Sequence, residues 1–169
     1  INLKVIHWSY TEKYIELMKE INELDGAIFI AKNIPSLKNS KVKTNRGIFP
    51  SKTVTNFLRS YGIKHYSSSK KTVEGYARTP DTFKPIADRL RDELSKVDKP
   101  YKLQFYFVRK TRARFDVGNS IEILADLFTA YQCWEDDNAD VFLPFPWVID
   151  NACYKVDKDN PGVYIKVIK

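Results

Sequence analysis

The chain has 169 residues, of which 43% are hydrophobic and 14% aromatic. This length and apolar content predict one domain with a sizeable core, and no apolar stretch is long enough to cross a bilayer. The two cysteines, Cys133 and Cys153, lack the spacing of a zinc site and cannot form the framework of a disulfide-rich secreted domain. Because no basic and apolar leader opens the chain, we expect a cytoplasmic protein with no membrane partner.

The net charge of +7 and the pI of about 9.3 are typical of a protein with a polyanionic partner. The charges are also segregated along the chain. Residues 26–73 carry ten Lys and Arg and no Asp or Glu, whereas residues 115–154 carry eight carboxylates and no Lys or Arg. The first segment could attract phosphate, and the second could attract a divalent cation.

The first half of the chain predicts two helices and one strand. Apolar residues at helical spacing in 11–24 predict an amphipathic packing helix. A strand is expected at 26–31, followed by a long basic loop over 33–50 and a helix over 51–61 whose N-cap is Ser51. The polar segment 62–80 then predicts a mobile loop that could become ordered on binding.

The second half predicts further helices and strands. Helices are expected over 79–96 and 117–132, and strands over 101–108, 139–143 and 163–168. Since helices and strands alternate without repeats, the economical fold is a small single α+β domain, with a mixed sheet flanked by helices.

The helix over 117–132 has an apolar side and an adjoining acidic stripe that includes Asp116, Asn119, Glu122 and Asp126. The triplet 135–137 follows and could close a cage of oxygen ligands, which suits magnesium. The simpler interpretation is a solvated helix face. However, unpaired like charges at this density repel, which favours a bound cation. Trp134 is interpreted as a core anchor beside the triplet.

These residues also match a known pattern. Arg112-Ala113-Arg114-Phe115-Asp116-Val117-Gly118-Asn119 precedes the predicted helix, and Trp134-Glu135-Asp136-Asp137 follows it. The arrangement resembles the signature of the RusA family of Holliday-junction resolvases: Asp-x-Asp-Asn, a helix, then Trp-x-Asp-Asp. Ile34-Pro35-Ser36 with Asn39 is similar to the family's Pro-Pro-Ser-x-Asn segment, and Gly162-Val163-Tyr164-Ile165 to its closing strand.

The resemblance covers residues 26–169 and leaves 1–25 as a helical extension. It implies a homodimer that binds four-way DNA junctions and cuts them in recombination and repair, using Mg²⁺ with Mn²⁺ as a possible substitute. A nucleoid-associated protein of phage or prophage origin is the matching expectation for its location. By position, Asp116 and Asp137 match the family's catalytic aspartates, and Asn119 matches its adjacent asparagine. Together with the acidic stripe, this predicts the catalytic residues Asp116, Asp136, Asp137 and Glu122, and as metal ligands these four with Asp126.

Two positions depart from the family pattern. Gly118 replaces the second aspartate of Asp-x-Asp-Asn, and Glu122 replaces the helix lysine. Either Glu122 supplies the lost carboxylate and a cation from residues 109–114 replaces the lysine, or the chain binds branched DNA with a degenerate active site. A third alternative is that the acidic stripe binds a basic protein partner.

The expected DNA contacts are basic residues and neighbouring amides that would bind the phosphate backbone. Tyr61 could stack on bases or pack in the core. The predicted contacts are Lys38, Asn39, Lys41, Lys43, Arg46, Lys52, Lys70, Lys71, Arg109, Lys110, Arg112, Arg114 and Asn119.

Overall fold

The computed structural model describes residues 3–36, 41–61 and 83–169, and these form a mixed α+β structure. The helices are α1 (Leu3–Leu24), α2 (Lys52–Arg59), α3 (Lys84–Leu94) and α4 (Val117–Ala130). The strands are β1 (Ile28–Ile30), β2 (Lys41–Thr44), β3 (Gly47–Pro50), β4 (Tyr101–Arg109), β5 (Phe142–Pro146), β6 (Tyr154–Val156) and β7 (Gly162–Val167).

The long strand β4 organises the main sheet. The strand order is β1-β7-β4-β5, and β6 pairs with β4 beyond β5. Strands β5 and β6 run parallel to β4, whereas β7 is antiparallel to both β4 and β1. Because parallel neighbours need a crossover connection, the chain passes from β4 to β5 through α4. The predicted mixed sheet flanked by helices is therefore confirmed.

The core lies between the sheet and helices α2, α3 and α4. Leu103, Phe105 and Phe107 alternate along β4 and are buried in the cluster that these helices share. Tyr106 points to the opposite face and packs with Trp147 and Leu24. Odd-numbered residues of β4 therefore face the helices.

An aromatic cluster fills the centre of the core. The ring centroid of Phe83 lies 5.1 Å from that of Tyr61, 5.4 Å from Phe128 and 4.7 Å from Tyr131. Trp134 stacks on Phe142 at 4.7 Å, and its Nε1 donates to Thr129 Oγ1 at 2.8 Å. Trp134 is thus the predicted core anchor, and Tyr61 has the packing role rather than an exposed stacking role.

Several boundaries differ from the prediction. The predicted loop over 33–50 contains the β2–β3 hairpin, whose turn is supported by a 3.2 Å hydrogen bond from the Arg46 N–H to Thr44 Oγ1. The strand expected at 139–143 begins only at Phe142, because the carbonyl of Asn138 accepts from Val141 and Phe142 in a turn. The short strand β6 was not predicted at all.

Helix α1 is longer than predicted, and its middle is exposed. Tyr14, Leu17 and Met18 are 63%, 50% and 40% exposed, so the expected packing of these residues on the chain is wrong. Leu24 does pack on the sheet. Over the described residues, every helix is too short or too polar to cross a membrane. The predicted mobile loop at 62–80 and the first turn of the helix expected from 79 lie outside the described residues.

Candidate metal and nucleic-acid site around helix α4

Asp116 occupies the connection from β4 to α4 and is the N-cap of the helix. Its extended backbone (φ −104°, ψ 104°) lets Oδ1 accept a hydrogen bond from the Asn119 N–H at 3.3 Å. The carboxylate is exposed at the positive end of the helix dipole, which stabilises its charge. No described residue donates to its Oδ2, so this oxygen can accept an outside ligand.

Helix α4 exposes only a narrow polar stripe. Gly118 and Glu122 are exposed, Asn119 and Asp126 are half-buried, and Val117, Leu124, Leu127 and Phe128 lie in or against the core. The predicted apolar side is confirmed, and the acidic stripe is the exposed side. Glu122 follows Gly118 by one turn, so the two positions where the chain departs from the RusA pattern are neighbours on this stripe.

The carboxylates of the acidic triplet after α4 interact with neighbouring side chains. Lys99 forms an ion pair with Glu135, and the hydrogen bond from Lys99 lowers the pKa of that carboxyl. Asp136 accepts from Asn138 Nδ2 at 3.1 Å, and both Asp136 and Asp137 are half-buried. The predicted ligands in the triplet are Asp136 and Asp137, and Glu135, which is not among them, pairs with Lys99.

Within one chain, the acidic residue before α4 and the acidic triplet after it lie at different places. Asp116 precedes α4 and follows the last residue of β4, whereas Glu135 is tied to Lys99, just before β4 begins. The 14 residues of α4 span about 21 Å. Asp116 and Glu135 therefore lie at opposite ends of the β4–α4 unit, and Asp137 is two residues from Glu135.

The carboxylate oxygens suit magnesium, but the described residues of one chain do not gather enough of them for a complete site. Among residues 3–36, 41–61 and 83–169, no three Asp, Glu, His or Cys side chains gather where they could hold a metal ion. Magnesium is commonly held by one or two carboxylates together with substrate phosphate and water. Asp116 at one end, or Asp136 and Asp137 at the other, could contribute such a partial set. Their roles as ligands remain predictions.

The predicted DNA contacts fall on two surfaces. Lys43, Arg46 and Lys52 are exposed on the hairpin and at the start of α2. The exposed residues Lys110, Arg112 and Arg114 lie on the connection that leads to Asp116. The backbone of Lys41 is in β2, and Lys38, Asn39, Lys70 and Lys71 lie outside the described residues.

Arg109 differs from the exposed basic residues that follow it. The strand alternation places its side chain under Phe115, whose ring centroid is 4.3 Å from Cζ, and burial lowers the pKa of the guanidinium. Sequence reasoning missed Phe115 and Asn33, whose Oδ1 accepts from the Lys110 N–H at 3.1 Å. The alternation of buried residues along β4 was the available signal for Arg109.

Comparisons with known proteins identified no relative of the chain. No protein-family model matches the chain, and no curated protein or solved structure matches it significantly.

Proposed function

We propose that the chain is a structure-selective, magnesium-dependent endodeoxyribonuclease that hydrolyses phosphodiester bonds in four-way DNA junctions. The arrangement of charge around α4 carries the proposal. A helix-capping aspartate with an oxygen available to a ligand follows directly after an exposed basic connection, and two half-buried aspartates follow the same helix. Phosphate-binding cations beside hard oxygen ligands are what phosphodiester hydrolysis requires.

The separation of the carboxylates supports a homodimer as the active form. Since Asp116 precedes α4 and Asp137 follows it, close in sequence to the Glu135 that pairs with Lys99, a two-fold related copy could place the partner's Asp137 beside Asp116. Two such sites would form in each dimer. This arrangement suits a junction substrate, which itself has two-fold symmetry and offers two equivalent strands.

Each group at the site has a separate task in this proposal. A bound magnesium ion would supply charge stabilisation and acidify an attacking water. The Asn119 N–H orients the Asp116 carboxylate through Oδ1. Lys110, Arg112 and Arg114 hold the DNA backbone, which predicts affinity that falls steeply as salt concentration rises.

The direct test is a nicking assay on a synthetic four-way junction with Mg²⁺, Mn²⁺ or EDTA, and with a linear duplex of the same sequence as the control. We expect metal-dependent cuts in paired strands of the junction. Junction binding without cuts in either metal would contradict the nuclease proposal.

Glu122→Gln tests whether the Glu122 carboxylate takes the place of the family aspartate that is missing at Gly118. If Glu122 replaces the carboxylate missing at Gly118, this variant should lose cleavage by about 100-fold, which is about 2.7 kcal/mol of transition-state stabilisation, and keep junction affinity. Initial nicking rates and gel-shift titrations measure the two properties. Glu93→Gln on the partly exposed side of α3 is the matched control, and unchanged cleavage by the Glu122 variant would contradict the rebuilt site.

A second candidate function is junction binding with a degenerate active site, and the space around Gly118 favours testing it. A Cβ atom at Gly118 would meet only Asp116 Oδ1, at 3.4 Å, so the backbone leaves room for a Cβ at the position where the family pattern has an aspartate. If the site is degenerate, Gly118→Asp should create metal-dependent nicking in a chain that otherwise only binds. Gly118→Asn, which has the same shape without the charge, is the control. Robust nicking by the unmodified chain would exclude this candidate.

A further inference from the structure

The end of β4 holds a buried cation for which the described residues provide no anion. Arg109 is only 7% exposed, and its Nε and Nη1 atoms have no hydrogen-bond partner among residues 3–36, 41–61 and 83–169. The ion pairs of the described residues all involve other cations. A guanidinium that loses water without gaining an acceptor destabilises the folded chain, so its retention needs a reason beyond packing.

The neighbours of Arg109 hold the guanidinium in place but accept no hydrogen bond from its Nε and Nη1 atoms. Phe115 lies 4.3 Å from Cζ, and its own ring contacts Phe107 at 5.0 Å and Tyr154 at 5.4 Å. A ring stacked on the guanidinium attracts its charge but accepts nothing from the N–H groups at its edge. The planar donor set is therefore fixed in orientation and still has hydrogen bonds to give.

A second unpartnered donor lies at the other end of the same connection. The Nδ2 atom of Asn119 is buried and has no hydrogen-bond partner in the described part of the chain, although the Asn119 backbone N–H donates to Asp116. Arg109 and Asn119 thus flank residues 110–116 with unused donors, and the exposed Lys110, Arg112 and Arg114 add positive charge. Donors without acceptors indicate a ligand that is rich in acceptors and negatively charged.

We propose that Arg109 and Asn119 form an oxyanion site that takes a phosphate group. Arginine presents a planar pair of N–H groups that matches two phosphate oxygens. The site goes beyond the exposed basic surface because it uses buried donors, and only the source of its phosphate, a DNA phosphodiester, rests on the function proposed above. Residues 110–114, which follow Arg109 directly, are exposed and form neither helix nor strand.

The site can be tested with inorganic phosphate alone, by thermal denaturation at constant ionic strength. Millimolar phosphate should raise the midpoint of the unmodified chain relative to chloride, because a ligand that binds the folded state stabilises it. The same rise is expected for Arg89→Met, an exposed control on α3 outside residues 109–119, and none for Arg109→Met. Without phosphate, Arg109→Met should be at least as stable as the unmodified chain. An equal rise in all three proteins, or none in the unmodified chain, overturns the site.

Two further measurements test the site if Arg109→Met fails to fold and test whether its phosphate comes from DNA. Arg109→Lys keeps the charge but loses the planar donor pair, so a smaller phosphate-induced rise is expected even if Arg109→Met fails to fold; a full rise would contradict the site. Junction affinity should fall about tenfold in Arg109→Met, as for one charged hydrogen-bonded contact, and unchanged affinity would overturn the phosphodiester assignment. A phosphate response without any junction binding would support the oxyanion site and refute the proposed nuclease.

Discussion

Subunits carrying Asp116→Asn and subunits carrying Asp137→Asn should cut four-way junctions when mixed, although neither should cut alone. Each substitution removes a carboxylate from both sites of its own homodimer, with an expected loss of about 100-fold or more in cleavage rate. In a mixed dimer whose sites combine Asp116 with the partner's Asp137, one site keeps both aspartates and the other loses both. Random exchange should restore roughly a quarter of the normal nicking rate, since half of the dimers are mixed.

The products of the mixed dimer should also differ from those of the unmodified dimer. A dimer with one intact site nicks one strand and cannot make the paired cut, which a junction with differently labelled strands reveals. The control pairs unmodified subunits with the double variant Asp116→Asn/Asp137→Asn. Shared sites predict that these mixed dimers are inactive, whereas sites within single chains predict that they retain one active site. Nicking by the mixed dimers of the control, together with no nicking in the first mixture, would refute the shared site.

Phe83→Ala should cost about 3–5 kcal/mol in the free energy of unfolding, as a buried large-to-small substitution does. The Phe83 side chain is fully buried, and its ring contacts Tyr61, Phe128 and Tyr131, so α2, α3 and α4 all lose packing. In a chain of this size the loss corresponds to a fall of roughly 10 °C in the thermal midpoint. Circular dichroism melts and urea titrations measure both values.

Phe145→Ala is the matched control, because Phe145 is 40% exposed on β5. Its truncation should change the free energy of unfolding by less than about 1 kcal/mol, as most surface substitutions do. Equal losses in the two variants would mean that the aromatic cluster around Phe83 does not anchor the three helices.

Much of the fold could be predicted from local patterns. The alternation of Leu103, Phe105 and Phe107 indicates a strand with one buried face, and the Ser51 hydroxyl accepts from the Val54 N–H as its predicted N-cap role requires. The hairpin at 41–50 was missed because its alternating lysines resemble a basic loop, and a pairing partner was not evident from sequence. Strand β6 has only three residues, too few to show a period.

The candidate site was less predictable because its geometry depends on tertiary structure. The residues on the exposed side of α4 follow from helical spacing, but the position of Asp137 depends on the turn at Asn138 and on the ion pair between Lys99 and Glu135. Arg109 begins a basic run that suggests one exposed surface, and arginine is rarely buried. Only its place as the last residue of β4 separates it from its neighbours.

The length of α4 has a consequence for the choice of substrate. If each active site joins one end of this helix to the opposite end of its partner, the separation of the two sites is set by a rigid element of 14 residues, about 21 Å long. Two phosphates are then cut together only when the DNA holds them at that spacing. The length of α4 would then set the distance between the two active sites, so that selectivity for a branched substrate would come from this distance rather than from contacts with particular bases.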